Sequence, residues 1–172
     1  MTAEKLPLAD RIFDLLDTDA DGRLVEGDYR AGAERLLQSY GMGPHSPKGR
    51  ALIEAQLALW EREAELMDRD HDGAITREEY RTWFTSEDAP GQVAPELLAM
   101  LHAQFNVADK DGDGRLDLQD FAAWRELSGV SARAAAAAFA LIDSDGDGAV
   151  VWDDFVAASR AHGLPALLFG QV

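Results

Sequence analysis

Apolar residues in this chain recur three or four positions apart over eight stretches, which are separated by polar, glycine-containing segments. That spacing places apolar side chains along one face of a helix. It predicts helices over residues 7–16, 26–40, 49–67, 77–86, 95–108, 118–128, 131–142 and 152–162. The pattern therefore indicates an all-α protein in which helices alternate with polar loops.

Four of the polar segments have apolar residues at the same positions before, within and after them, a pattern that we call the apolar frame. Each follows an apolar residue, has an aliphatic residue at its eighth position and precedes an aromatic residue. The preceding residues are Leu16, Met67, Ala108 and Ile142; the eighth positions are Leu24, Ile75, Leu116 and Val150; the aromatic residues are Tyr29, Tyr80, Phe121 and Phe155. Repetition at fixed offsets marks an array of similar units. We therefore predict four helix–loop–helix units.

Each of these segments reads D-x-D-x-D-G and has an acidic residue at its twelfth position. Carboxylates at positions 1, 3, 5 and 12 and the carbonyl at position 7 are the oxygen ligands that a hard divalent cation requires. Glycine at position 6 permits the sharp turn because it has no Cβ to clash at positive φ. Ordinary solvated turns would explain one such segment, but not four in one frame. The pattern is typical of EF-hand calcium loops.

The predicted ligands follow from these positions. They are Asp17, Asp19, Asp21, the Arg23 carbonyl and Asp28 in loop 1; Asp68, Asp70, Asp72, the Ala74 carbonyl and Glu79 in loop 2; Asp109, Asp111, Asp113, the Arg115 carbonyl and Asp120 in loop 3; and Asp143, Asp145, Asp147, the Ala149 carbonyl and Asp154 in loop 4. At position 9 we expect Thr76 and Asp117 to act through water. Val25 and Val151 offer no oxygen there, so water must fill that place.

The twelfth position distinguishes the loops. Only loop 2 ends in glutamate, Glu79, which can reach an ion with both oxygens and favour calcium. The shorter aspartates of loops 1, 3 and 4 predict either an inward movement of the exit helix or closure through one oxygen. Closure through one oxygen approaches the six ligands that magnesium prefers. We therefore predict up to four calcium ions, with magnesium able to exchange at the three loops that end in aspartate.

The charge of the chain is concentrated at these loops. The formal net charge is −16, from 32 acidic and 16 basic residues, and half of the acids occupy the predicted ligand positions. Four bound dications would halve the net charge. Such a chain lacks the basic patch of a nucleic-acid-binding protein. The absence of cysteine excludes disulfides and thiolate zinc sites.

Other functional classes find little support in the sequence. The four histidines have no paired metal spacing, and no nucleophile–base pair, phosphate-binding glycine loop or cofactor motif stands out, so we expect no enzymatic activity. No apolar run reaches the length of a membrane span, and the first residues lack a signal-peptide pattern. We expect a monomeric cytoplasmic protein without nucleic-acid or membrane partners.

Glycine and proline mark two breaks along the chain, around residues 40–49 and 87–92. We predict an N-terminal loop pair in residues 1–88, with loops at 17–28 and 68–79. The C-terminal pair spans residues 89–172, with loops at 109–120 and 143–154. Within its apolar tail, 164–172, we expect Leu164, Leu167, Leu168 and Phe169 to fold back between helices. The alternative is a partner-binding or loosely ordered tail.

These features resemble the sarcoplasmic calcium-binding protein family, including its calerythrin-like and calexcitin-like members. The resemblance rests on the four loops, the long gap between loops 1 and 2, the short middle connection and the apolar tail. It implies two EF-hand pairs packed into one compact globule, with short two-stranded ribbons between paired loops. One difference is that members often carry a degenerate loop, whereas all four loops are complete here.

Two functions remain open from the sequence. An intracellular calcium buffer agrees with the resemblance and with the low count of four methionines, because a promiscuous target groove is rich in that residue. The alternative is a calcium sensor that exposes an apolar surface to a protein partner when calcium binds.

Overall fold

A computed structural model describes residues 2–86 and 94–169, without the side chains of residues 2–6 and 169. Across those residues the chain forms nine helices and four short strands. In chain order they are α1 (Thr2–Leu16), β1 (Arg23–Leu24), α2 (Glu26–Ser39), α3 (Pro47–Met67), β2 (Ile75–Thr76), α4 (Arg77–Thr85), α5 (Pro95–Ala108), β3 (Arg115–Asp117), α6 (Leu118–Glu126), α7 (Ala132–Ile142), β4 (Ala149–Val151), α8 (Trp152–His162) and α9 (Leu164–Phe169). No helix in this described part is long and apolar enough to cross a membrane.

The helices confirm the eight stretches predicted from apolar periodicity. Side-chain caps set several of their first residues: Ser46 accepts a hydrogen bond from the Gly49 amide at 3.0 Å, and Ser131 accepts one from the Ala134 amide at 3.3 Å. Such caps satisfy amides that have no partner inside the helix. The largest differences are that α1 begins at Thr2 rather than residue 7 and that α9 was not predicted as a helix; the other helix ends differ from the predicted ones by at most two residues.

Backbone contacts divide the chain into two units, Met1–Met100 and Leu101–Val172. The predicted boundary at residues 88 and 89 lies outside the described residues. In the first unit α2 packs on α3, and α1 packs on α4. In the second unit α6 packs on α7, and α9 packs on both α7 and α8.

A two-stranded antiparallel ribbon joins the two loops of each unit, as predicted. Strand β1 pairs with β2, and Leu24 lies opposite Ile75. Strand β3 pairs with β4, and Leu116 lies opposite Val150. These four residues are fully buried, which explains the aliphatic residue at the eighth position of every loop.

Aromatic residues of the apolar frame form the centre of each unit. Tyr29, Tyr80, Phe121 and Phe155 are all buried, as the frame predicts. In the first unit the rings of Phe13 and Tyr80 meet edge to face, with centroids 5.7 Å apart. In the second unit Trp124 is fully buried and lies 5.8 Å from Phe121 between ring centroids.

The apolar tail of the second unit is helical and packed. Leu164 and Leu167 of α9 are 6% and 1% exposed, which confirms the predicted burial for these two residues. Leu168 is half-buried, and its carbonyl accepts a hydrogen bond of 2.8 Å from the guanidinium of buried Arg125. The side chain of Phe169 lies outside the described residues.

Candidate metal centres

All four loops have the same backbone conformation. Glycine at position 6 has φ between 81° and 87° in every loop, the sharp turn that the sequence predicts. Position 4 also has positive φ, and it carries non-glycine residues in two loops, Ala20 at 59° and His71 at 58°. Sequence reasoning missed this second turn residue. The glycines Gly112 and Gly146 at position 4 of loops 3 and 4 were its signal.

In loop 1 the carboxylates of Asp17, Asp19 and Asp28 converge, with ligand oxygens within 4.8 Å of one another. Asp17 and Asp28 are 8% and 4% exposed. Backbone amides hold them in place: Gly22 donates to Asp17 Oδ2 at 3.0 Å, and Thr18 donates to Asp28 Oδ1 at 2.9 Å. The predicted ligand Asp21 lies outside this grouping.

The other three loops bring together the carboxylates at positions 1, 3 and 5. The groupings are Asp68, Asp70 and Asp72; Asp109, Asp111 and Asp113; and Asp143, Asp145 and Asp147, each with ligand oxygens within 4.8 Å. In each loop the position-6 amide donates to the position-1 carboxylate, at 3.0 Å in loops 2 and 3 and at 3.1 Å in loop 4. One local hydrogen-bond pattern therefore orients the first ligand throughout.

Among the described residues, the twelfth residues of loops 2 to 4 are not members of those groupings. Glu79 Oε1 accepts from the Arg69 amide at 3.0 Å, and its Oε2 accepts from the Thr76 amide at 2.9 Å. Asp120 forms an ion pair with Lys110 at 3.2 Å. Asp154 accepts from the Val151 amide at 3.2 Å. Each twelfth carboxylate is thus held at the start of its exit helix.

The remaining predicted oxygens are placed by the ribbons and the helix starts. Arg23, Arg115 and Ala149 begin strands, and Ala74 directly precedes one. The position-9 residues Thr76 and Asp117 cap helices α4 and α6: Thr76 Oγ1 accepts from the Glu79 amide at 3.3 Å and Asp117 accepts from the Asp120 amide at 2.8 Å. Sequence reasoning had assigned these two side chains only to water-mediated ligation.

Arginines change the electrostatics of the second loop in each unit. The hydrogen bond from Arg23 is the largest cause of a lowered pKa at Asp72, and that from Arg115 has the same effect on the pKa of Asp147. Burial acts to raise the pKa of Glu79, but hydrogen bonds from Thr76 and Arg69 outweigh it and lower the pKa. These carboxylates are therefore held in the charged form that binds cations.

The donor set fits a hard divalent cation. Every side-chain donor in the four groupings is a carboxylate oxygen, the ligand type that calcium and magnesium prefer. Two oxygens on opposite sides of a calcium ion are about 5 Å apart, and the ligand oxygens of each grouping lie within 4.8 Å of one another. The residues in these groupings could hold such an ion without a large rearrangement.

Comparison with known proteins points to the same chemistry. A family model described as "EF-hand domain pair" matches residues 98–160, and one described as "EF hand" matches residues 65–85. The sarcoplasmic calcium-binding protein beta chain of Penaeus sp. is 30% identical over 112 residues, which are 62% of this chain and 58% of that protein. The match therefore spans less than two thirds of the Penaeus protein.

Two bacterial proteins match over more of their length. Calerythrin of Saccharopolyspora erythraea is 26% identical over 130 residues, 74% of this chain and 73% of that protein. A solved Streptomyces coelicolor calcium-binding protein is 34% identical, with a TM-score of 0.74, and the match covers 96% of this chain and all of that one. The Penaeus and Streptomyces proteins are calcium-binding proteins by name. The four loops of hard oxygen donors and the similarity to these relatives lead to one conclusion. The chain belongs to the EF-hand calcium-binding proteins of the sarcoplasmic calcium-binding protein and calerythrin type.

Proposed function

We propose that the protein is a monomeric cytoplasmic calcium buffer that binds up to four calcium ions. The observation that carries this proposal is helix α9, which packs on α7 and α8 and buries Leu164 and Leu167. A sensor needs an apolar surface that becomes available to a partner. In the second unit that surface is covered by the chain's own tail helix, which favours a closed, ion-binding unit.

The ligands in this proposal are the carboxylates at positions 1, 3, 5 and 12 and the carbonyl at position 7 of each loop. Glu79 supplies both of its oxygens and makes loop 2 the most selective for calcium. The aspartates at the ends of loops 1, 3 and 4 allow magnesium to compete at those sites.

A calcium sensor is the second candidate, and one relative favours it. The Streptomyces coelicolor protein, 34% identical over nearly the whole chain, was described in connection with "prokaryotic calcium-mediated regulation". In this alternative α9 leaves α7 and α8 when calcium binds, and a partner helix takes its place.

Fluorescence of a hydrophobic dye separates the two candidates. The full chain is measured in magnesium with a calcium chelator and then in saturating calcium, and calorimetry on the same samples records binding. A buffer gives heat of calcium binding with little change in dye fluorescence, whereas a large calcium-dependent rise would contradict the buffer and support the sensor. Absence of binding heat would overturn both.

A variant that lacks residues 164–172 calibrates the dye signal. The deletion removes α9 and uncovers the apolar surface of α7 and α8. The dye fluorescence of this variant therefore gives the signal expected for an open second unit. The full chain should stay well below this level in both conditions.

A further inference from the structure

An arginine crosses from the first loop to the second loop in each unit. Arg23, at position 7 of loop 1, donates from Nη2 to Oδ2 of Asp72 at 2.6 Å. Arg115, at position 7 of loop 3, makes the same contact with Asp147 at 2.6 Å. Position 7 of loops 2 and 4 is alanine, so the contact runs in one direction only.

The accepting aspartates occupy the same place in their loops. Asp72 and Asp147 stand at position 5, and each belongs to the carboxylate grouping of its loop. Their other oxygen, Oδ1, accepts from the position-7 amide at 3.0 Å in both loops. The arginine therefore binds one oxygen of a proposed ligand while the backbone binds the other.

The ribbons explain why the same contact occurs twice. The antiparallel register places Arg23 opposite Thr76 and Arg115 opposite Val151. This pairing brings position 7 of one loop beside the other loop of the unit. Because both units use one register, a long basic side chain at this position reaches the neighbouring carboxylates in both.

We propose that Arg23 and Arg115 set the ion affinity of loops 2 and 4. Each is a tethered cation that offsets repulsion among the carboxylates of the neighbouring loop, stabilises that loop without its ion and lowers its affinity for divalent cations. This inference rests on the proposed binding of calcium by loops 2 and 4.

Electrostatics gives the direction and size of the effect. Carboxylates with oxygens within 4.8 Å of one another repel, and a guanidinium at 2.6 Å from one of them reduces that repulsion. The same positive charge repels a dication that comes to the loop. For a single and a double positive charge separated by about the width of one carboxylate, in water at low salt, removal of the arginine should raise the affinity of the neighbouring loop about three- to tenfold.

The test compares Arg23→Gln with Arg30→Gln. Both arginine side chains are 45% exposed and both pair with a carboxylate, but Arg30 pairs at 2.8 Å with Glu26, which is not a proposed ligand. The two substitutions therefore make the same change in net charge. The full chains are titrated with calcium in competition with a chromophoric chelator, at low and high salt.

The expected result is specific to Arg23. The combined calcium affinity of Arg23→Gln should rise three- to tenfold at low salt and less at high salt, whereas Arg30→Gln should change it less than twofold. The calcium affinity of Arg23→Lys, which keeps the positive charge, should rise less than that of Arg23→Gln. The double variant Arg23→Gln/Arg115→Gln should multiply the two single effects, because each arginine acts on its own loop and independent effects add in free energy.

A second readout needs no bound ion. In excess chelator, Arg23→Gln should melt at a lower temperature than Arg30→Gln, because the carboxylates of loop 2 lose their counter-charge. Equal calcium affinities for Arg23→Gln and Arg30→Gln, or a lower affinity in Arg23→Gln, would overturn the inference while calcium binding stands. A wild-type chain that binds no calcium would instead overturn the proposed function, and the inference with it. If Arg23→Gln does not fold in chelator, Arg115→Gln tests the same claim in the other unit.

Discussion

Glu63 gives the sharpest prediction about stability. This residue of α3 is partly buried, and its carboxylate accepts a hydrogen bond from the hydroxyl of buried Tyr29. Burial raises the pKa of Glu63 from 4.5 to about 7, and the Tyr29 hydrogen bond opposes that rise only in part. Glu63→Gln removes the ionisable group and keeps a carbonyl that can accept the same hydrogen bond.

The sign of the effect follows from proton linkage. Between pH 4.5 and about 7 the unfolded chain releases the Glu63 proton while the folded chain keeps it, so the wild type loses stability as pH rises. Glu63→Gln has no such loss. A shift from 4.5 to about 7 corresponds to about 2.5 kcal/mol between pH 5 and pH 8. Partial exposure screens the charge, so the expected range is about 1–2.5 kcal/mol.

Urea unfolding in excess chelator measures this difference. The wild type and Glu63→Gln are compared from pH 5 to pH 8 at constant ionic strength. The four loops are identical in both proteins, so any effect of pH on them cancels in the difference. Glu65→Gln on the same helix is the matched control, because the Glu65 side chain is 70% exposed and pairs with Arg62.

The variant should match the wild type near pH 5 and exceed it by about 1–2.5 kcal/mol at pH 8. Parallel stability curves for the two proteins would refute the reasoning, since they would mean that Glu63 titrates alike in the folded and unfolded chain. If the free energy of unfolding of the wild type instead rises relative to that of the variant as pH increases, the predicted sign is wrong.

Three further outcomes are expected. Glu79→Gln should lower the calcium stoichiometry measured by calorimetry by one, and an unchanged stoichiometry would contradict the role of Glu79 in loop 2. Leu167→Ala should lower the free energy of unfolding by about 2–4 kcal/mol. Leu168→Ala, at a half-buried position, should lower it clearly less. Equal decreases for the two variants would argue against the packing of α9. Saturating calcium should raise the melting temperature of the wild type, and an unchanged melting curve would count against native-state binding.

The loops and helices were predictable because their causes are local. Apolar spacing within ten to twenty residues defines a helix, and D-x-D-x-D-G brings carboxylates together within one turn of chain. The four groupings therefore contain carboxylates that the spacing alone had named. The left-handed conformation of Ala20 and His71 was missed because their side chains give no sign of it.

The sequence by itself determined the four loops, their hard oxygen donors and the order of the helices. Tertiary structure alone decided which distant side chains meet. Arg23 reaches Asp72 across 49 residues, Tyr29 reaches Glu63 across 34, and Arg125 holds α9 through the carbonyl of Leu168, 43 residues on. These contacts depend on strand register and helix packing, which many residues set together, and no local spacing encodes them.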